Sequence, residues 1–265
     1  MLLMVATLFI SCEKVINIDL NEAEPRLVVE GAITLNNGPY AVKLSTSGDF
    51  YTGEGIEPVG DAMVNISASD GQQETLMNIG NGIYITHNLA GIPNTAYTLE
   101  IKYKNLLYTA TDTLPGQVEI KDLTYEDSEF GGNQDTEYEN HYDFYCKFKD
   151  PPEPGNHYLL QIKRNGEEIS GRQGKYYMLS DENVNGQMVN YPLFGIGANI
   201  NDTITIELSA VGAATYDYFR TLNDALGQGG MGSTPYNPVT NLNNNALGYF
   251  GTFTYDSGNI VIEEK

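Results

Sequence analysis

The sequence predicts an all-β protein made of two β-sandwich domains. Apolar and polar residues alternate along many short segments, which is the period of a strand with one buried face. Turn-forming pairs such as Asp70-Gly71 and Asn81-Gly82 separate these segments. The length of 265 residues favours about two domains, and an apolar content of 41% is enough to form a real core.

The balance of charge excludes one class of partner. The chain carries 35 acidic and 14 basic side chains, which gives a formal net charge of −21. Binding to phosphate backbones requires clustered lysine and arginine, so this charge argues against DNA or RNA as a partner. It also argues against electrostatic docking of the protein on anionic lipid.

The N-terminus predicts a lipoprotein. Residues 1–11 form an uncharged apolar run that ends at Ser11-Cys12 and is too short to span a bilayer, which takes about 20 residues. This pattern predicts a signal peptide over residues 1–11 and a lipid on Cys12, followed by a polar tether over residues 12–25. The alternative is an apolar N-terminal strand that happens to contain a cysteine.

Residues 26–115 predict an immunoglobulin-like sandwich, of the fibronectin type III or transthyretin-like kind. The segment PNTAYTL at residues 93–99 resembles the Pro-Gly-Thr-x-Tyr segment of fibronectin type III domains. In such sandwiches the tyrosine hydroxyl bonds backward to the backbone, and here that residue is Tyr97. Three apolar strand faces support the assignment: Leu27, Val29 and Ile33; Val64, Ile66 and Ala68; Tyr97, Leu99, Ile101 and Tyr103.

Residues 116–265 predict a larger sandwich with one helical insertion. Leu114-Pro115-Gly116 marks the boundary, and strands again alternate beyond it. A helix is expected at about residues 215–226, ended by Gly227, with a long loop over residues 227–245 and a last hairpin after it. The expected apolar stripe of the helix consists of Tyr218, Phe219, Leu222, Ala225 and Leu226, and the hairpin of strands at residues 248–255 and 260–262.

Cys146 is expected to be a small buried apolar residue. If Cys12 carries lipid, Cys146 is the one remaining thiol and no internal disulfide forms. It shares a strand face with Tyr142, Phe144 and Phe148. A catalytic thiol would need a positive and partly open setting, and no basic cluster lies nearby in the sequence.

No metal, cofactor or catalytic motif stands out, so the chain is predicted not to be an enzyme. The sequence contains no phosphate loop, no dinucleotide glycine motif and no Gly-x-Ser-x-Gly elbow. The histidines lack metal-ligand spacing and are expected at the surface or on edge strands. These histidines are His87, His141 and His157.

Two acidic segments are candidates for cation sites. Asp181, Asn183 and Asn185 resemble the opening of a calcium loop, but Pro192 stands where the closing glutamate belongs. A hairpin turn at Asn185-Gly186 is the favoured interpretation. The acidic residues within 126–139 favour a solvated loop, with a divalent-ion or partner-binding loop as the alternative.

The aromatic composition is unusual, with 19 tyrosines and no tryptophan. Sugar-binding modules stack aromatic rings on pyranose faces, and Tyr176, Tyr177, Tyr236 and Tyr249 are candidates for that role. The alternative is that tyrosine simply serves as a good strand former.

Several segments together resemble one family. They are the Cys-Glu-Lys-Val-Ile start at residues 12–16, residues 26–31, Tyr-Asp-Tyr-Phe at residues 216–219, residues 235–238, and Asn-Ala-Leu-Gly-Tyr-Phe-Gly at residues 245–251. These segments resemble the Bacteroidota lipoproteins grouped as domain-of-unknown-function family 4249. The resemblance implies no assigned activity and no catalytic residues. It also implies genes beside TonB-dependent outer-membrane receptors.

The sequence and this resemblance together favour an outer-membrane lipoprotein, on the periplasmic or the cell-surface face, that assists a TonB-dependent transporter. It would bind or present a ligand, or stabilise the receptor. Because sandwich loops carry function, the expected partner contacts lie in the long loop and in the acidic loop near Gly131. In the long loop they are Gly229, Pro235, Tyr236 and Pro238. The alternative is a carbohydrate-binding surface module, and a hydrolase ranks last.

Overall fold

The computed structural model describes residues 25–35, 37–48, 56–129, 138, 140–169, 176–227 and 236–264. Across these residues the chain forms seventeen strands in three sheets, one α-helix and one short 3-10 helix, so the all-β prediction is confirmed. The predicted signal peptide, Cys12 and most of the tether lie outside the described residues.

The N-terminal sandwich packs two sheets over one core. One sheet has the strand order β5-β4-β8-β9, and the other contains β1-β2-β7-β6 with β3 beside β2. The predicted inward faces of β1, β4 and β8 supply the core. The strands are β1 (Leu27–Thr34), β2 (Ala41–Thr46), β3 (Glu57–Pro58), β4 (Met63–Ala68), β5 (Gln73–Thr75), β6 (Met77–Gly80), β7 (Ile83–Ile85), β8 (Thr95–Tyr103) and β9 (Leu106–Leu114).

The tyrosine corner is confirmed. The Tyr97 hydroxyl donates to the carbonyl oxygen of Ala90 at 2.8 Å and accepts from the amide of Ile92 at 2.8 Å. The ring is fully buried, and this burial raises the pKa of the Tyr97 hydroxyl. The corner thus fixes the chain ahead of β8 to the core, as the sequence motif predicted.

The second sandwich packs a three-stranded sheet, β10-β11-β15, on the end β13-β12-β16-β17 of the large sheet, where β14 also pairs with β12. Cys146 lies fully buried in this core, as predicted, and burial raises the pKa of its thiol to about 12. The elements are β10 (Ile120–Asp127), β11 (His141–Lys149), β12 (His157–Arg164), β13 (Glu167–Ile169), β14 (Tyr177–Ser180), β15 (Met188–Gly197), β16 (Thr203–Val211), α1 (Ala213–Gly227) and β17 (Leu247–Val261).

The last strand belongs to both sandwiches, and the prediction of a closing hairpin is wrong. Strand β17 pairs in parallel with β1 over Leu247–Phe253 and antiparallel with β16 over Phe253–Val261. Gly258 does not mark a turn, because it lies within β17 opposite Ile206. A Cβ atom at this position would lie 2.6 Å from Leu123 Cδ1. Gly258 marks a close approach between the two sheets.

This strand makes the large sheet continuous over ten strands. The predicted division after residue 115 falls between β9 and β10. The core of the N-terminal sandwich nevertheless also contains Leu242, Ala246 and Phe250 from the end of the chain. The core of the N-terminal sandwich is therefore completed by residues from the end of the chain, including strand β17 beside β1.

Helix α1 begins two residues before the predicted start and covers the outer face of the large sheet where the sandwiches meet. Phe219 is buried against the sheet as expected, but Leu226 is exposed, which corrects the predicted stripe. Thr215 is buried in its place. The apolar pattern did not identify Thr215 because threonine is polar. Its burial is possible because its hydroxyl donates a hydrogen bond to the buried carboxylate of Asp112.

Candidate functional site

A groove of about 410 Å³ opens on the outer face of the large sheet, between α1 and the paired strands β1 and β17. Its volume lies in the range of about 300–1,000 Å³ typical of small-molecule sites. We call it the aromatic groove. Its lining consists of Val28, Glu30, Tyr176, Tyr218, Phe219, Leu222, Asn237, Pro238, Leu247, Gly248 and Tyr249.

The pairing of β1 with β17 forms the floor of the aromatic groove. Glu30 lies opposite Tyr249, and Val28 lies opposite Leu247, in the parallel register. Gly248 adopts a φ of +83°, and a Cβ atom there would lie 1.9 Å from the carbonyl oxygen of Val29. Only glycine allows this approach of the two backbones.

Helix α1 supplies the aromatic wall. The Phe219 ring contacts Tyr249 and Tyr176 with centroid separations of 5.2 and 4.9 Å. The Tyr218 ring stacks on Tyr249 with centroids 4.5 Å apart and an angle of 28° between the rings. These contacts fix the rings before any ligand arrives, although no coplanar row of exposed tyrosines results.

The tyrosine hydroxyls share one electrostatic environment with Glu30. Burial, followed by the neighbouring Tyr218, Tyr176 and Glu30, raises the pKa of Tyr249 to about 12. Burial and Glu30 also raise the pKa of Tyr218. At neutral pH these two phenols are therefore protonated, so they can donate hydrogen bonds while their rings offer apolar contact.

Glu30 is the one charged side chain among the lining residues that the structure describes. Its carboxylate lies 3.9 Å from Lys43 Nζ, an exposed pair in which solvent screens most of the attraction. No histidine, cysteine or serine lines the groove within the described part of the chain. The groove thus offers a ligand aromatic rings, tyrosine hydroxyls and one carboxylate.

The predicted contact loop is only partly in the described structure. Pro238 lines the aromatic groove, whereas Tyr236 is exposed and does not line it. Gly229 and Pro235 lie outside the described residues. The following stretch is held in place, because the amide of Val239 donates to the Thr221 hydroxyl and Asn241 bonds both backbone polar groups of Phe250.

The candidate sugar-stacking tyrosines divide between the two faces of the large sheet. Tyr176 and Tyr249 line the aromatic groove. Tyr177 points the other way, into the core of the second sandwich, and is buried. Sequence reasoning missed Glu30 as a lining residue, although its outward position in the alternation of β1 was the available signal.

The candidate cation ligands Asp181, Asn183 and Asn185 lie between β14 and β15, where Asp181 and Asn185 hydrogen-bond to other residues. Asp181 is buried and accepts hydrogen bonds from the amides of Gly155 and Asn156 at 2.8 and 3.0 Å. Asn185 donates instead to the carbonyl oxygen of Pro152. Among the described residues, no group of three or more acidic, histidine or cysteine side chains is placed to hold a metal ion.

The prediction of a hairpin around Asn185-Gly186 is wrong. A 3-10 helix over Asp181–Asn183 leads from β14 in the large sheet to β15 in the three-stranded sheet. The two flanking strands therefore belong to different layers and do not pair with each other. Of the acidic segment 126–139, residues 130–137 and Glu139 lie outside the described structure.

His87 lies at the surface as predicted, but His141 and His157 are half-buried on the inner strands β11 and β12, so the prediction of surface or edge-strand positions is wrong for these two. His87 is half-exposed, with its Nδ1 atom 3.5 Å from a carboxylate oxygen of Glu74. His141 and His157 are the first residues of β11 and β12. The His157 ring packs against Tyr216 with centroids 4.7 Å apart. Their separate positions agree with the absence of metal-ligand spacing in the sequence.

A buried carboxylate at the junction of the sandwiches was not predicted. Asp112 Oδ2 accepts from the Thr215 hydroxyl at 2.6 Å and from the Thr252 amide at 3.1 Å, which joins β9, α1 and β17. Burial raises the pKa of the Asp112 carboxyl. Its core-facing place in β9 was a signal, because a buried carboxylate requires partners.

Comparison with known proteins places the chain in a family. The family described as Domain of unknown function (DUF4249) matches residues 13–259, which include every residue that lines the aromatic groove. No curated protein matches the chain. No helix within the described ranges has the length and apolar character needed to cross a membrane. With a match over nearly the whole sequence, the chain belongs to the DUF4249 family.

Proposed function

We propose that this protein is a lipid-anchored accessory of the outer membrane that assists a TonB-dependent receptor by binding, without catalysis. The anchor is a lipid on Cys12, left by removal of residues 1–11. Confinement of both proteins to one membrane raises their effective concentration, so a modest pairwise affinity is enough to hold them together.

The aromatic groove is the observation that carries the proposal. It presents pre-positioned tyrosines in a concave surface, and buried aromatic anchors dominate the energetics of most protein interfaces. Pro238, from the predicted contact loop, stands at its rim. A projecting apolar side chain or loop of the receptor would fill the groove and accept hydrogen bonds from the tyrosine hydroxyls.

Mild-detergent purification of the tagged lipoprotein tests this proposal. Wild-type protein should recover a TonB-dependent receptor, and Tyr218→Ala should recover at least several-fold less. Tyr218→Phe should retain most of the recovery, because it keeps the ring and removes only the hydrogen bond of one hydroxyl. Tyr255→Ala is the matched control, since Tyr255 is an exposed tyrosine outside the groove, on the strand β17 that carries Tyr249.

Point substitutions are preferable to deletion of the loop. Removing residues 227–241 would remove Asn241, whose side chain bonds Phe250 within β17. Loss of binding after such a deletion would report a damaged fold. Equal recovery of the receptor with Tyr218→Ala and with wild type would refute the assignment of the groove.

A carbohydrate-binding module is the second candidate. Glu30 and Asn237 place a carboxylate and an amide beside the tyrosines, which are groups that bond sugar hydroxyls. The stacking of Tyr218 on Tyr249 leaves no flat platform, which makes this candidate the weaker one. Clear binding on a glycan array, together with no receptor in the purification, would reverse the order.

A further inference from the structure

The end of the N-terminal sandwich where the chain enters β1 gathers an unusual set of exposed side chains. Strands β4, β8 and β9 bring Met63, Lys102 and Leu107 into one row across the sheet. We call this surface the entry end. It consists of Pro25, Arg26, Met63, Lys102, Lys104, Leu106 and Leu107.

Contacts within the entry end tie the incoming chain to the β8–β9 turn. Pro25, Arg26 and Leu106 line a cavity of about 420 Å³ together with Asn244 and Asn245. Arg26 Nη1 donates to Asn245 Oδ1 at 3.3 Å, and Asn244 Nδ2 donates to the carbonyl oxygen of Leu107 at 2.7 Å. The chain therefore leaves the sandwich beside these leucines.

The entry end exposes apolar side chains to solvent. Met63, Leu106 and Leu107 are 53%, 47% and 42% exposed. Met63 and Leu107 lie on either side of Lys102 in the row, about 4.8 Å from strand to strand. Leu106 lies on the opposite side of the sheet, beside Pro25 and Arg26, so the apolar side chains lie on both sides of the β8–β9 turn. Two consecutive residues with positive φ, Lys104 and Asn105, form the tight turn that presents the two leucines at its edge.

The charge of the entry end differs from that of the whole molecule. Arg26, Lys102 and Lys104 are three of only 14 basic residues in a chain with a net charge of −21. Acidic residues lie close to them: Glu100 precedes Lys102 by two residues on the same face of β8, Asp61 lies near Lys104, and Glu22 and Glu24 precede Pro25 in the sequence. The net charge opposes electrostatic docking of the molecule as a whole, so the three basic side chains serve only to lower that repulsion at this end.

The length of the tether favours the same orientation. Cys12 and Pro25 are 13 positions apart in the sequence, which spans at most roughly 45 Å when fully extended. A lipid on Cys12 therefore keeps the entry end, where the chain enters the sandwich, within roughly 45 Å of the membrane. This step rests on the anchor in the proposed function.

We infer that the entry end docks on the surface of the lipid bilayer. Met63, Leu106 and Leu107 enter the boundary between headgroups and acyl chains, while Arg26, Lys102 and Lys104 contact lipid phosphates. The lipid then serves as one of two membrane contacts, and the sandwich holds a fixed orientation instead of swinging on the tether.

A fluorescent probe measures this contact. Leu107→Cys is labelled with an environment-sensitive dye in the lipidated protein, on vesicles of phosphatidylethanolamine and phosphatidylglycerol. Gln73→Cys is the control, because Gln73 is exposed at the opposite end of the same sheet. Cys146 is fully buried and stays unlabelled in the native protein.

The Leu107 probe should brighten severalfold and be quenched by nitroxide lipids, while the Gln73 probe stays in water. Lys102→Glu combined with Lys104→Glu should reduce the quenching by at least half. An aqueous Leu107 probe on bound protein would overturn the inference. So would a probe that becomes protected only when a receptor is added.

A tethered variant separates docking from lipidation. A hexahistidine segment in place of Cys12 attaches the protein to vesicles that contain a nickel-chelating lipid. Quenching of the Leu107 probe in this form supports docking even if mass spectrometry finds no lipid on Cys12. A lipid on Cys12 without quenching leaves the anchor in place and refutes docking.

Discussion

Replacing Thr215 with valine should lower the free energy of unfolding by about 2 kcal/mol. Valine has nearly the same shape and similar helix propensity, so the change removes the hydroxyl and little else. That hydroxyl donates to Asp112 Oδ2 at 2.6 Å in a buried setting. Hydrogen bonds to charged groups contribute roughly 1.5–3 kcal/mol, and no alternative donor from α1 replaces this one.

Urea unfolding of the soluble Cys12→Ala protein at pH 7 measures this loss. Thr98→Val is the matched control, since the Thr98 hydroxyl bonds Thr111 on an exposed face of β8. The control should change stability by less than about 0.5 kcal/mol. Equal effects of the two substitutions would refute the reasoning that the Asp112 network holds the sandwiches together.

Three further predictions concern single residues: Asp112, Cys146 and Gly248. Burial raises the pKa of Asp112 above its ordinary 3.8, so its contribution to stability is full below that pH and is lost as pH rises through the native pKa. Urea titrations of Asp112→Asn should therefore show the variant gaining stability relative to wild type as the pH rises above 3.8. Cys146 should react with a bulky thiol reagent only in denaturant, and Cys146→Ser should cost about 1–3 kcal/mol by calorimetry; rapid native labelling would contradict its burial. Gly248→Ala should destabilise by at least about 2 kcal/mol in urea unfolding, while Gly116→Ala, with no atom within 4 Å of the added Cβ, should be nearly neutral.

Local features of the fold could be predicted because they depend on short stretches of sequence. The faces of β1, β4 and β8 follow from alternation, and the Tyr97 corner follows from a motif of a few residues. The β17 strand was misjudged because Asp-Ser-Gly-Asn at residues 256–259 is typical of a turn. Its pairing with β16 and the close approach at Gly258 override that local preference.

The candidate site could not be assembled from sequence for a different reason. Glu30 and Tyr249 are neighbours only because the first and last strands pair in parallel, and no local pattern encodes that pairing. The sequence identified Tyr176 and Tyr249 separately as candidates for stacking on sugars, and it placed Tyr218 in the apolar stripe of the predicted helix. Their convergence is a property of the sheet order and of the position of α1.

Site-specific photo-crosslinking in cells tests the central claim most directly. A photoreactive phenylalanine analogue at position 218 replaces one aromatic ring with another inside the aromatic groove, and the same analogue at position 255 is the control on β17. If the groove binds the receptor, position 218 should yield an adduct that mass spectrometry identifies as a TonB-dependent receptor, and position 255 should not. Receptor adducts of equal yield at both positions, or none at position 218, would contradict the account.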